Sequence, residues 1–245
     1  MGGIVCFAQM NENYIINCKN KVNVMSKKNK SNVGGIVGSE RLWGCSLYID
    51  RCANFGNITG CYSYGICRYG NIKNSYNEGT IESDQLMYAA GIGNGGIYNC
   101  YNKGKIISIS DISPEESSIY SVTGGIYGYI ENGSTSLNIV NCYNTGELSS
   151  RWVKGSIIGQ VRVITPTTLN CFYLQRGYSR EYDQTTPYTE QQLKNESFIE
   201  ELNNYIESNS DGIDTTGWAK WIKGADGYPT LDFSIIWDGS KWVNS

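Results

Sequence analysis

A chain of 245 residues with 20 Lys and Arg against 23 Asp and Glu can bury a sizeable core in one or two domains. Its formal net charge of -3, with no basic block, excludes the electrostatic footprint of a nucleic-acid binder. There is no histidine, which removes His-based triads, most catalytic zinc sites and the usual general base near neutral pH. No apolar run approaches the roughly 20 residues that span a bilayer, and nine cysteines, an odd number, cannot all pair within the chain.

In chain order, the opening stretch MGGIVCFAQMNENY lacks the basic start and long apolar run of a signal peptide. It begins inside a repeat, at GGIV, so the chain is expected to be a segment of a longer precursor, with Met1 added for expression. Two elements then alternate. One is a Gly-Ile strand start: GGIVC at 2 to 6, GGIVG at 34 to 38, YGICR at 64 to 68, AGIGN at 90 to 94, GGIYG at 124 to 128 and GSIIG at 155 to 159. The other centres on Cys18, Cys52, Ser75, Cys100, Cys142 and Cys171, so six coils are expected. Successive Cys positions stand 34, 23, 25, 42 and 29 residues apart. A repeat elastic in its loops and strict in its strands is the behaviour of a solenoid, whose insertions are expelled to an edge.

Side-chain parity orients each rung. Three residues before the Cys position stand Ile15, Ile49, Ile72, Ile97, Ile139 and Thr168, an inward column; two before it stand Ile16, Asp50, Lys73, Tyr98, Val140 and Leu169, facing out. A straight strand would also turn the Cys outward. A bend at Asn17, Asn74, Asn99, Asn141 and Asn170, with Arg51 in the second coil, makes it internal. Beyond this corner the Cys position, then Asn20, Asn54, Asn77, Asn102 and Asn144, then Val24, Ile58, Ile81, Ile106 and Leu148 share one face. Stacked Asn side chains hydrogen-bond from rung to rung, as in cross-β ladders. Gly56, Gly79, Gly104 and Gly146 between them are expected at turns of positive φ, with Val22 breaking the column in the first coil. The ladder cysteines read as buried small hydrophobes about 4.8 Å apart, not as disulfides or metal ligands, because no spacing is Cys-x-x-Cys. Cys45, Cys61 and Cys67 lie off the ladder, with a disulfide among them left open.

Past residue 177 the repeat stops, and residues 178 to 245 form a C-terminal cap. A helix over about 189 to 206 opens with Thr189 as N-cap and Gln192 three later, a capping box. Leu193, Phe198, Leu202 and Tyr205 or Ile206 make its apolar stripe, which is expected to cover the last open rung. Trp218, Trp221, Tyr228, Pro229 and Phe233 are expected to pack with it, sugar binding by the clustered Trp being the alternative, and SIIWDGSKWVNS reads as a final hairpin turning at Asp238-Gly239 or as the start of a further module.

The succession GGIVG, NCYNTGEL, helix and GYPTLDF resembles the GLUG-motif repeats of bacterial surface proteins, adhesin-like proteins of gut bacteria among them, over about residues 2 to 233. The resemblance implies an all-β solenoid displayed at a bacterial cell surface; it supplies no catalytic residues to carry over.

Candidate chemistry is sparse. GIGNGG at 91 to 96 has the form G-x-G-x-x-G, but a strand of the next rung follows where a dinucleotide site needs a helix, so it reads as a tight turn. No outward Asp/Glu ladder of the kind polysaccharide-active β-helix enzymes use is found; Asp111, Glu115 and Glu116 share one loop, and Asp211 and Asp214 lack EF-hand spacing. Tyr76, Tyr101 and Tyr143, followed by Phe172, form an outward aromatic stripe that could stack on sugar rings or grip a peptide, or else pack ring on ring. The insertion ISISDISPEESSIYSVT, 107 to 123, is a second candidate. The expectation is a non-enzymatic, extracellular repeat domain, an adhesin, stalk or binding module. No catalytic residue, metal, cofactor, nucleic acid or membrane insertion is expected, and a glycan or a host surface protein is the partner. A polysaccharide lyase or hydrolase and a plain structural spacer are the alternatives; the oligomeric state stays open.

Overall fold

The computed structural model describes residues 1–6, 8, 11–38, 45–84, 88–110, 121–130, 138–161, 166–178 and 185–245. The core of the insertion, residues 111–120 with Asp111, Glu115 and Glu116, lies outside them, as does the side chain of Cys45.

The coils wind as parallel strands in register. On the face before the corner Asn11–Ile16, Cys45–Asp50, Asn71–Lys73 and Gly96–Tyr98 lie side by side, followed by Asn138–Asn144 and Thr167–Leu174, which run on through the corner. After the corner Lys19–Asn20, Ala53–Asn54, Tyr76–Asn77 and Tyr101–Asn102 pair in parallel. Two further faces follow, each a five-stranded parallel sheet, one from Val24–Met25 to Leu148–Ser150 and one from Asn32–Gly34 to Val153–Gly155. The inward column Ile49, Ile72, Ile97 and Ile139 is buried together with Ile36, Ile66, Ile92, Ile126 and the thiols of Cys52, Cys100, Cys142 and Cys171. Exposed large apolar side chains, by contrast, gather in the first coil at Ile4, Tyr14, Ile16, Val22 and Met25.

The corner is a left-handed residue in every coil: Asn17, Arg51, Asn74, Asn99, Asn141 and Asn170 have φ between 48° and 57°. Asparagine is the residue other than glycine that enters this region most readily. Its side chain then points to the flank, where Asn99 donates to Asn74 Oδ1 at 2.8 Å, Asn141 to Asn99 Oδ1 at 2.8 Å and Asn170 to Asn141 Oδ1 at 2.6 Å. Arg51 interrupts the column, and Asp50 Oδ1 accepts the Asn74 amide at 2.7 Å in its stead. Arg51→Asn relieves the left-handed cost and is expected to add about 1 kcal/mol of stability. A rise in the urea midpoint measures it; an unchanged or lower midpoint contradicts it.

Inside, a second ladder runs Asn20 to Asn54 to Asn77 to Asn102 to Asn144, each Nδ2 donating to the next Oδ1 at 2.7, 2.7, 2.7 and 2.8 Å. The same amides donate to the carbonyls of Gly56, Gly79 and Gly104. Here the structure corrects the sequence reading: none of Gly56, Gly79, Gly104 and Gly146 has positive φ. They are glycine for want of space. A Cβ on Gly104 would stand 2.0 Å from the Gly79 carbonyl oxygen and 2.5 Å from Asn77 Nδ2, and one on Gly146 would meet Gly104 O at 2.1 Å. Val22 is tolerated in the same column because its side chain points to solvent, 62% exposed.

The thiols do more than fill space. The left-handed corner turns the next N–H along the solenoid axis, so Ser75 N–H donates to Cys100 Sγ and Cys100 N–H to Cys142 Sγ, each at 3.4 Å. Each thiol in turn donates to the carbonyl two residues earlier, as Cys142 does to Val140 at 3.2 Å. Ser75 makes the same pair of contacts with a hydroxyl.

The helix expected over 189 to 206 is two helices, α1 (Glu190–Leu193) with the Thr189–Gln192 capping box and α2 (Glu196–Ser208) with its own N-cap, Asn195. The break places Leu193, Phe198, Leu202 and Ile206 on one buried side. The sequence reading sets this segment over the last rung; in the structure it packs along the flank, straddling the Asn corner. The Asn74, Asn99 and Asn141 amides donate to the carbonyls of Gly217, Ala219 and Leu202. Strands Ala219–Lys223 and Pro229–Trp237, then Trp242–Asn244 after the Asp238-Gly239 turn, form an antiparallel sheet there. The last rung instead carries Thr185–Tyr188, paired in parallel with Cys171–Leu174.

Candidate functional site

The aromatic stripe exists but is not a surface. Tyr76, Tyr101 and Tyr143 stack ring on ring at 4.6 and 5.3 Å, and Phe172 follows. All four are buried, Tyr101 and Tyr143 completely, because Phe198, Leu202, Trp221 and Leu231 of the C-terminal segment lie over them. Trp221 is 5.9 Å from the Tyr101 ring and 5.6 Å from that of Tyr143, and its indole N–H donates to Asn99 Oδ1. The Tyr101 hydroxyl meets Thr230 Oγ1 at 2.9 Å, and that of Tyr143 donates to the Pro229 carbonyl. Burial pushes the phenol of Tyr76 up to about 12 and those of Tyr101 and Tyr143 well above the usual range. A ligand reaches this stripe only if the flank opens.

GIGNGG also serves as a turn: Gly96 begins the strand Gly96–Tyr98, and a Cβ on Gly91 would lie 2.0 Å from the Gly125 carbonyl oxygen. Cys61 and Cys67 are buried, the Cys67 thiol donating to the Tyr69 carbonyl at 3.1 Å. Among the described residues no group of His, Cys, Asp or Glu is placed to hold a metal ion, and no helix is long and apolar enough to cross a membrane.

The open site is elsewhere on the same flank. A cleft of about 440 Å³ lies between the outward side of the early coils and the loop that leads into the C-terminal sheet; Tyr48, Asp50, Asn71, Lys73, Tyr98 and Trp218 line it. Its shape follows from the column four residues before the Cys position, which reads Tyr14, Tyr48, Asn71, Gly96. Tyr14 and Tyr48 stack at 5.0 Å with planes 13° apart. At the next rung the aromatic ring is gone. The Asn71 amide leans the other way, its Oδ1 within 3.1 Å of where a Cβ on Gly96 would stand, and Tyr98 folds over that glycine at 3.0 Å. One face of the Tyr48 ring is therefore free, with Tyr98 and, 6.1 Å from it, Trp218 closing the far end.

Polar groups edge the cleft. Asp50 holds the Asn74 amide through Oδ1 and sits 3.4 Å from Arg51 Nε through Oδ2. Lys73 reaches toward Gly217, Nζ within 3.2 Å of a Cβ built there. Asp214 accepts the Thr216 N–H at 2.9 Å. That bond and the Thr216 hydroxyl hold its carboxyl below the usual range, with Lys73 a smaller contributor. Sequence reasoning put Asp50 and Lys73 in one outward column and Asp214 beside Asp211 in a distant turn, and did not bring the three together. The Tyr14 and Tyr48 pair was visible as the column beside the inward isoleucines, whereas Thr216 and Trp218 enter only through the tertiary fold.

Desolvation raises the Cys52 thiol from the ordinary 9.0 to about 12 and those of Cys142 and Cys171 well above their ordinary value. Native Cys142 and Cys171 are expected to resist a thiol reagent that modifies exposed Cys6 at once; rapid native labelling of all three contradicts the buried ladder. Above pH 9 the unfolded chain releases thiol protons that the native one keeps. The contribution of Cys52 to stability is thus constant below about pH 9 and is lost from there to about 12.

No family model matches the chain, and no curated protein matches it significantly. Among solved structures it is similar to that of a putative immunoglobulin A1 protease from Bacteroides ovatus, with a TM-score of 0.54 and 18% identity over 95% of this chain and 75% of that one. At that identity the likeness shows the fold, a largely parallel all-β solenoid.

Proposed function

We propose that this chain is a GLUG-motif type segment of a bacterial cell-surface protein, acting outside the cell as a non-enzymatic binding module in the manner of an adhesin. The observation that carries the reading is the cleft: a free tyrosine face beside hydrogen-bonding groups, on a scaffold whose other large aromatic stripe is sealed. Most binding sites are concave, largely preformed and lined by aromatic groups with a few convergent polar ones. The rungs beneath are fixed by side-chain ladders and Tyr48 is stacked on Tyr14, so the backbone of the cleft and the Tyr48 ring need little ordering on binding. A polysaccharide-cleaving site needs a carboxyl raised to act as general acid. Asp214 is lowered instead, and Asp50 is engaged by Asn74 and Arg51.

The test is an array of glycans and host-matrix proteins probed with and without calcium by wild type and Tyr48→Ala. A hit weakened about tenfold or more in the variant supports the module, that being the order of one aromatic contact. Silence from folded wild type turns the reading to a structural spacer, and calcium-dependent release of oligosaccharides turns it to an enzyme.

A further inference from the structure

Resting on that binding reading, we infer that the gap above Asn71 is a slot for one ring of a neutral pyranoside. Rungs of a parallel sheet recur about every 4.8 Å, and the Tyr14 and Tyr48 rings keep that beat at 5.0 Å. Tyr48, Asn71 and Gly96 are in register. From the Tyr48 ring to the level of Gly96, over which Tyr98 folds, is thus two rungs, roughly 9.6 Å. One ring fits between, in the vacant place of a third stacked aromatic. A pyranose offers an apolar C–H face to Tyr48, and its equatorial hydroxyls turn to the edges of the slot, where Asp50 and Thr216 accept, Lys73 donates and Asn71 does both. The charges nearly cancel: Arg51 stands beside Asp50, and Lys73 acts on Asp214. The slot therefore has no net field to favour a uronic or sialic acid.

Ligand-observed NMR with methyl β-D-glucopyranoside and methyl β-D-galactopyranoside, against methyl β-D-glucuronide, tests this. Wild type is expected to saturate the ring C–H protons of a neutral glycoside, with little change between low and high salt. Asn71→Trp, a substitution at an exposed position that fills the slot, is expected to remove the signal while the urea midpoint stays put, and Tyr48→Ala to weaken it at least about tenfold. Binding that survives Asn71→Trp, or a salt-sensitive preference for the glucuronide, overturns the slot. If the array yields a protein or acidic glycan whose binding Asn71→Trp leaves intact, the slot fails and the binding module stands. If folded wild type binds nothing on array or panel, both fall.

Discussion

Asn102→Ala is expected to lower the unfolding free energy by about 3–5 kcal/mol, far beyond the roughly 0.5 kcal/mol of an ordinary surface change. Asn102 is fully buried, donates to Gly104 O at 2.9 Å and Asn144 Oδ1 at 2.8 Å, and accepts from Asn77 Nδ2 at 2.7 Å. Removing it strands one Asn77 N–H and the Gly104 carbonyl in the interior, each costing about 1–3 kcal/mol, while Asn144 Oδ1 keeps the Gly146 N–H, with some relief if water enters the hole. Asn102→Asp keeps the shape and is worse in kind, because a buried carboxylate oxygen then faces two acceptors. The measurement is urea unfolding followed by circular dichroism. A loss below about 1 kcal/mol contradicts the view that the inner amide ladder holds the rungs together.

Trp221→Ala is expected to cost about 3–5 kcal/mol, the usual range for emptying a buried tryptophan site. The side chain is completely buried against Tyr101 and Tyr143, and its N–H is committed to Asn99 Oδ1. Its loss also unseats the flank, so a dye that binds exposed apolar surface should report the tyrosine stripe before the coils melt. Trp242→Ala, at a half-buried site whose indole N–H bonds Glu207, is the control and is expected to cost about 1 kcal/mol or less. Equal losses in the two variants contradict the assignment of Trp221 as the central contact of the flank.

Much of the rung was legible because solenoid stacking repeats one solution. The isoleucine column follows from alternation, and the corner from asparagine's tolerance of the left-handed region, which all six corner residues enter. The glycine column was misread although the contrary signal was in the sequence. A β-branched residue such as Val22 is a poor substitute where positive φ is required, but an easy one where its side chain can turn to solvent. The stripe was placed on the correct side of the tube, yet its exposure depended on residues 26 or more positions downstream, from Phe198 on, and no local pattern says where α2 and Trp221 dock. The cleft needed both kinds of information: Tyr14, Tyr48, Asn71 and Gly96 are a readable column, while Asp214 and Trp218 close it from the flank.

Nitration of tyrosines in the native protein, mapped by mass spectrometry, distinguishes an open cleft with a sealed stripe from the reverse. Tyr14, 60% exposed, and its stacking partner Tyr48 should be modified early, with Tyr101 and Tyr143 untouched until denaturant is added. Tyr101 and Tyr143 reacting as fast as Tyr14 would contradict the seal and return the stripe to the surface as the site of recognition.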